Sequence, residues 1–291
     1  MSRYQTLIID ASHLAYRVYF AFPEGSVDYH MVQGFIRSLI SANKKYNMKQ
    51  LVVVWDRGHT LKSQLYPGYK QKEDSMTESQ REDFRDQFTI LEELLLDLGV
   101  RCVYKEGVEA DDVIAHLCIN SYAILQGLGD KVPILKPILI LSGDHDLHPL
   151  LSEEVDMWKP HKDSIYTVSS FKEEFNLEPR QYHEVQALMG CSGDRVPGVK
   201  GVGPKYALNL IRKYGSLQKI KEATADDRII DLVQSNWPDV ELSYKLATFE
   251  DVVPRMEAYE ANLARVRKTL FAKNMELLIE SWDDVITLAE L

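Results

Sequence analysis

The sequence predicts an α/β domain built on a mainly parallel central sheet, followed by a C-terminal helical region. Three observations carry this expectation. Four short runs, "TLIID", "QLVVVWD", "VRCVYK" and "PILILSGD", are rich in β-branched residues or leucine and read as buried strands. Helical patterns separate them over about 29–47, 78–98 and 110–126, and strands that alternate with helices indicate crossover connections and a parallel sheet. From about 171 the chain changes to helices with short connections, at 179–189, 204–214, 216–223, 238–249 and 258–281. "VDMWKP" and "SIYTVSS" are expected to add edge strands. The expected division is an α/β core over 1–178 and a helical region over 179–291.

Composition excludes several classes. With 291 residues, 45% of them hydrophobic and 27% charged, the chain is long and apolar enough to bury a sizeable core. No apolar run approaches the roughly 20 residues that span a bilayer. The opening "MSRYQTLIIDASH" enters a strand almost at once and lacks the basic, apolar and cleavage regions of a signal peptide. Cys102, Cys118 and Cys191 are odd in number and lack metal-type spacing, so free thiols in a reducing, cytoplasmic compartment are expected. The net charge of −10 argues against a nucleic-acid partner only as an average; local distribution decides binding.

That distribution is uneven. "TLIID" ends at Asp10, "VVVWD" at Asp56, and "LILSGDHD" supplies Asp144 and Asp146. "VRCVYK" leads through a short turn to Glu109, Asp111 and Asp112, just before an apolar helical pattern. Acids in the first turn of a helix are favoured by its free N–H groups and dipole, so capping explains any one of them. It does not predict an acid at every strand end. In a parallel sheet the carboxyl ends share one edge, where the ligand crevice forms. Carboxylates gathered there could not all stay ionised without cations. Oxygen donors without a His/Cys set indicate Mg²⁺, with Mn²⁺ able to substitute. Two such ions about 4 Å apart suit in-line displacement at phosphorus.

The segment 57–98 carries Arg57, Lys62, Lys70 and Lys72 interleaved with His59, Tyr66 and Tyr69. A solvated loop and a single-strand binding surface both fit this pattern. Further on, "SGDRVPGVKGVGPKYALNLI" places Gly198, Gly201 and Gly203 between two helical stretches. A dinucleotide loop would follow a strand, so the context instead suits backbone N–H groups offered to successive phosphates, with Lys200, Lys205, Arg212 and Lys213 adding charge.

Together these segments resemble the metal-dependent 5′-nucleases, the flap endonuclease and 5′–3′ exonuclease family, over about residues 4–215. "LIIDASHLAYR" and "VVWDRG" are similar to its first two Asp motifs, "YPGYK" to its basic arch entry, and "GVEADDVIA" and "LSGDHDLHPLL" to its paired acidic motifs. "SGDRVPGVKGVGPKYALNLIRKYGSL" is similar to its helix–three-turn–helix, here at about 185–215. The resemblance implies a PIN-like nuclease core with a helical arch at 57–98. It assigns Asp10, Asp56, Glu109, Asp111 and Asp112 to a first metal group, and Asp144, Asp146 and Asp194 to acids shared with or belonging to a second. Arg17, Tyr69 and Lys70 match positions near the scissile phosphate and the arch base, where Tyr69 would stack a terminal nucleotide. It further implies two Mg²⁺ ions, a K⁺ ion at the glycine hairpin, and a monomer acting on DNA with a 5′ flap, overhang or nick in replication or repair.

One position departs from the pattern. The family's usual Asp after the "G" of "LMG" is Cys191, while Asp194 is retained and Arg195 stands where Asn is frequent. Cysteine is a poor Mg²⁺ ligand, so a weaker second metal site and a neutral change both remain open. Two other classes follow: a non-catalytic binder of branched DNA, and a 5′ ribonuclease acting on RNA or RNA–DNA hybrids. An aspartyl-nucleophile phosphatase is excluded because "IIDASH" lacks the second Asp of a DxD motif.

Overall fold

The computed structural model describes residues 3–22, 27–58, 60–71, 76–159, 163–224 and 227–291. The strands are β1 (Thr6–Asp10), β2 (Gln50–Trp55), β3 (Arg101–Tyr104), β4 (Tyr122–Leu125), β5 (Lys131–Pro133), β6 (Ile138–Leu141), β7 (Val155–Lys159), β8 (Ser164–Tyr166) and β9 (Arg255–Glu257). The α-helices of the first part are α1 (Ala11–Ala21), α2 (His30–Tyr46), α3 (Leu61–Leu65), α4 (Glu78–Asp97), α5 (Ala110–Asn120) and α6 (Val168–Phe175). Those of the second are α7 (Tyr182–Met189), α8 (Pro204–Tyr214), α9 (Leu217–Lys221), α10 (Arg228–Ser235), α11 (Trp237–Ala247), α12 (Leu263–Ala272), α13 (Glu276–Glu280) and α14 (Trp282–Thr287).

One sheet takes all nine strands in the order β5-β4-β9-β3-β2-β1-β6-β7-β8. Its centre, β3-β2-β1-β6-β7, is parallel throughout, with Thr6 opposite Gln50 and Leu7 opposite Leu139. Alternate side chains feed two cores, as a strand's period of two requires. Ile8, Val52, Val54, Val103 and Ile140 pack with Val113, Ile114 and Leu117 of α5. Leu7, Ile9, Val53, Trp55 and Leu141 pack with α2 and with Leu91, Leu94 and Leu95 of α4. Burial on both faces explains why these strands read as continuous apolar runs.

Several elements differ from expectation. The helix predicted to reach 126 stops at Asn120, because Ser121 turns left-handed at φ +56 and "YAIL" continues as β4. Short apolar runs of this kind do not distinguish helix from strand by periodicity. Strand β7 is interior rather than an edge; β8 alone closes that side. The predicted helix 258–281 is broken into α12 and α13, with Asn274 at φ +49 between them. Helix α4 is not arch along its whole length, since its second half is anchored in the core. The C-terminal tail returns to the α/β body: β9 inserts between β3 and β4, and Val266, Leu270, Leu278 and Val285 join the core beside α2 and α4. Among the described residues, no helix is long and apolar enough to cross a membrane.

Candidate active site at the carboxyl edge of the sheet

Each acid reaches the sheet edge by its own route. Asp10 ends β1 and caps α1, its Oδ1 accepting from His13 N at 3.0 Å. Asp56 follows β2, and its Oδ1 accepts the Ala110 N–H at 2.9 Å, tying that strand to the first turn of α5. Asp144 caps the 3₁₀ helix His145–Leu150 and accepts from Asp146 N at 2.9 Å. Capping therefore operates, but each of these bonds engages a single oxygen and leaves the other for chemistry.

Beyond the caps, the acids form two overlapping groups. One carboxylate oxygen each from Asp111, Asp144 and Asp146 lie within 4.8 Å of one another. Asp146, Asp194 and the Cys191 thiol form a second group within the same distance. Burial, then Asp56 and Asp144 nearby, push the Asp10 carboxyl up to about 7. Burial, Asp144 and Asp194 do the same for Asp146, also to about 7. Asp111 is raised well above the usual carboxylate range by burial, Asp10 and Asp144. Like charges held this close resist ionising together. A donor set of hard oxygens whose members raise one another fits a divalent cation.

Glu109 and Asp112, expected in the first metal group, are engaged by lysines and hydrogen-bond donors. Lys62 Nζ sits 3.3 Å from both Glu109 Oε2 and Asp112 Oδ1. Glu109 also receives Lys70 Nζ at 2.8 Å and the Tyr69 hydroxyl at 2.9 Å, while Asp112 accepts from Glu250 N at 2.8 Å. Burial would raise Glu109, but Lys70 and Lys62 outweigh it and hold the carboxyl below its usual range. Lys62 was expected on a DNA surface; it is 5% exposed and serves as a buried counter-ion. Thr60 caps α3 and turns Lys62 inward, which the basic character of the segment did not reveal. Tyr69 is likewise buried, its ring against Val196 and Leu246, so it offers no face to a nucleotide.

Lys70 links the two sets. It sits at φ +51, its backbone N donates to Asp194 O at 2.9 Å, and its side chain stays half-exposed above the acids. Burial lowers its pKa, but Glu109, Asp111 and Asp194 raise it further, so it stays a cation. Arg17 reaches the same edge, with Nη1 3.7 Å from where a Cβ on Gly143 would stand. Arg57 turns away, pairing with Glu92 of α4 and lying 4.9 Å over the Tyr104 ring. Lys72 lies outside the described residues.

The glycine segment joins α7 to α8. Gly198 does not offer its N–H outward as expected: it donates to Ser243 Oγ at 2.9 Å. Its own role is packing, because a Cβ there would come 2.3 Å from Gly190 N. Gly201, at φ +97, is exposed, and Gly203 caps α8, whose first N–H groups lack intrahelical partners. Lys200, Lys205 and Lys213 are exposed around this end. Arg212 is exposed too, although its Nε donates to Phe175 O at 2.7 Å.

This edge and loop fall within two recognised segments. Residues 5–176 match the family model of the 5′–3′ exonuclease N-terminal resolvase-like domain, and residues 177–269 match that of the 5′–3′ exonuclease C-terminal SAM fold. The chain belongs to the 5′–3′ exonuclease family. A 5′–3′ exonuclease of Aquifex aeolicus is 34% identical over 245 residues, covering 82% of this chain and 79% of its own length. The thermostable DNA polymerase I of Thermus thermophilus is 30% identical over 272 residues, a match that takes in 91% of this chain and 30% of the polymerase. The fold is that of the bacteriophage T5 flap endonuclease, solved with DNA and metal ions: TM-score 0.69 at 21% identity, over 99% of this chain and all of the other.

Within this member of the exonuclease family, sequence reasoning missed three features. His13, one helical turn into α1, accepts the Gly143 N–H on Nε2 at 3.2 Å and so joins the β1 and β6 ends. Tyr16 and Phe20 stand exposed on α1 beside Arg17, their ring centroids 4.7 Å apart. Gln186 of α7, 4% exposed, donates through Nε2 to Asp146 Oδ1. A spacing of four residues between Tyr16 and Phe20 was available as a signal, but without a predicted α1 it placed them on no common face. Gln186 carried no signal, since its partner lies 40 residues away.

Proposed function

We propose that the chain is a divalent-metal-dependent 5′-nuclease that cuts 5′ flaps and trims 5′ ends of branched or duplex DNA, acting as a monomer. The observation that supports it is the convergence of Asp10, Asp56, Asp111, Asp144, Asp146 and Asp194 from separate segments on one sheet edge. These residues would hold divalent cations, Mg²⁺ or Mn²⁺ at the Asp111–Asp144 end, which when bound supply an activated water and stabilise the leaving oxygen. Glu109 and Asp112 would act behind them by fixing Lys62, Lys70 and Tyr69. Lys70 and Arg17 neutralise the scissile phosphate, and the exposed Tyr16–Phe20 pair takes over the base stacking first assigned to Tyr69. Around the glycine segment, Gly201, Gly203, Lys200 and Lys205 hold duplex phosphates without reading sequence. A K⁺ ion at the hairpin belongs to the same reading, its donors being backbone carbonyls; duplex affinity in K⁺ against Li⁺ tests it. The catalytically silent alternative is not favoured, because it leaves the acid convergence without a role.

The test is cleavage of a 5′-labelled flap in Mg²⁺ or Mn²⁺, beside binding in Ca²⁺. Asp144→Asn should lower cleavage by at least about a hundredfold while retaining binding. Unchanged cleavage, in a preparation free of host nuclease, would sink the assignment. An RNA–DNA hybrid flap in the same assay decides whether RNA is also a substrate.

A further inference from the structure

We propose that Cys191 and Gln186 make the second acid group of this chain a site for a thiophilic divalent cation of the Zn²⁺, Co²⁺ or Cd²⁺ kind, in preference to Mg²⁺. The inference rests on the reading of the chain as a metal-dependent nuclease and specifies which cation one part of that site holds.

The donors are mixed. Asp146 and Asp194 offer carboxylate oxygens and Cys191 offers Sγ, all within 4.8 Å of one another. Donors around a tetrahedral ion with bonds near 2.0–2.3 Å stand roughly 3.5 Å apart, so little closure is needed. The loop is built to keep them there. Cys191 N donates to Val196 O at 3.1 Å and Val196 N returns to Cys191 O at 2.9 Å, a bridge that pinches off Ser192–Arg195. Lys70 N then holds the Asp194 carbonyl at 2.9 Å.

An independent observation indicates a ligand. Gln186 lines the same small cavity of about 20 Å³ as Asp146, Cys191 and Asp194. Its Nε2 is engaged by Asp146, yet its Oε1 is buried without any hydrogen-bond partner. Buried acceptors are normally satisfied, so an unpartnered carbonyl oxygen on a residue that lines this cavity together with two carboxylates and a thiol is available as a fourth donor. Mg²⁺ demands near-octahedral hard oxygens, whereas a set of one sulfur and three oxygens suits a borderline-soft ion in tetrahedral coordination. Loading breaks the S–H bond, forms an Sγ–metal bond and releases one proton to solvent. Cys102 and Cys118 cannot substitute, since both are buried in the two cores.

The experiment is a Co²⁺ titration of the chelator-treated full chain, followed by thiolate-to-cobalt charge-transfer absorption, beside flap cleavage in Mg²⁺. The wild type should develop the band with one equivalent of Co²⁺ and keep it under a large excess of Mg²⁺. Cys191→Ser and Cys191→Asp should both lose the band, and Co²⁺ affinity should fall about tenfold or more. Gln186→Leu should keep the band while weakening Co²⁺ by about tenfold. A wild type without the band, a band bleached by Mg²⁺, or one that survives in Cys191→Ser would overturn the proposal. Cleavage is read separately: a band without cleavage in any divalent ion would overturn the nuclease reading and leave the cation assignment standing.

Discussion

Changing Lys62 to methionine removes an ammonium that lies 3.3 Å from a carboxylate oxygen of both Glu109 and Asp112, all three side chains being almost fully buried. Glu109 keeps Lys70 and Tyr69, but Asp112 is left with one hydrogen bond, from Glu250 N. Breaking a buried ion pair from one side costs about 3–5 kcal/mol, because a charge remains without compensation. At a typical unfolding entropy of about 2 cal/mol/K per residue, 291 residues give about 0.6 kcal/mol/K. A loss of about 3 kcal/mol therefore lowers the melting temperature by about 5 °C. Adding Asp112→Asn to Lys62→Met should recover part of it, since the stranded charge is removed. Circular dichroism melts of the four proteins of this cycle, with duplex binding measured in parallel, provide the assay. A single variant that melts within about 1 °C of the parent while losing DNA affinity would refute the reasoning, and would return Lys62 to the DNA surface where its sequence context first placed it.

The other predictions follow from the same geometry. Gly198→Ala forces a Cβ to within 2.3 Å of Gly190 N at φ +58, so it should destabilise the chain by about 3 kcal/mol, read as a shifted urea midpoint. Lys200→Gln and Lys205→Gln should each reduce the salt dependence of duplex binding by about 0.9 in log–log slope, with unchanged melting temperature. His183 is held down to about 4 by burial, against the Ala247 carbonyl and with help from Lys62, and its Nδ1 has no partner. A histidine depressed in this way stabilises the fold fully above pH 6.5 and loses that contribution as pH falls towards 4, at about 1.4 kcal/mol per unit. His183→Gln should therefore be about 2 kcal/mol less acid-sensitive than the parent between pH 7 and pH 5, measured by urea unfolding at the two pH values.

Much of the fold was legible because its central strands are buried on both faces and so declare themselves as apolar runs. The acids that end β1, β2 and β6 were legible for a related reason: a parallel sheet carries the ends of its strands to one edge, whatever the crossovers do. What the sequence hid depends on direction rather than position. Arg57 and Lys62 are basic residues in a polar segment, yet one turns onto Glu92 and the other under Glu109 and Asp112. Gly198 and Gly201 share a motif, but one packs against Gly190 and the other is exposed. Strand β9 was invisible because three residues, "RME", have no periodicity to read, and their pairing with β3 spans more than 150 residues.

The "GVEADD" stretch shows why adjacent carboxylates tolerate each other here. Successive residues of a helix differ by about 100° around its axis, so neighbours in the first turn of α5 cannot point at one target. Asp111 turns towards Asp10 and Asp144, whereas Asp112 turns towards Lys62 and the Glu250 amide. Glu109, just before the helix, reaches back to Lys62, Lys70 and Tyr69. One acid of the three thus joins the group that repels itself and calls for a cation, while the other two immobilise the lysines beside it. Lys70 is shared: its ammonium is gripped by Glu109, yet its field lowers the pKa of Asp10, Asp111 and Asp146 alike. A cation placed in this way relieves part of the repulsion that folding the acids together creates. It also stations a positive charge beside the edge before any phosphate arrives, which is the preorganisation that charge stabilisation in a transition state requires.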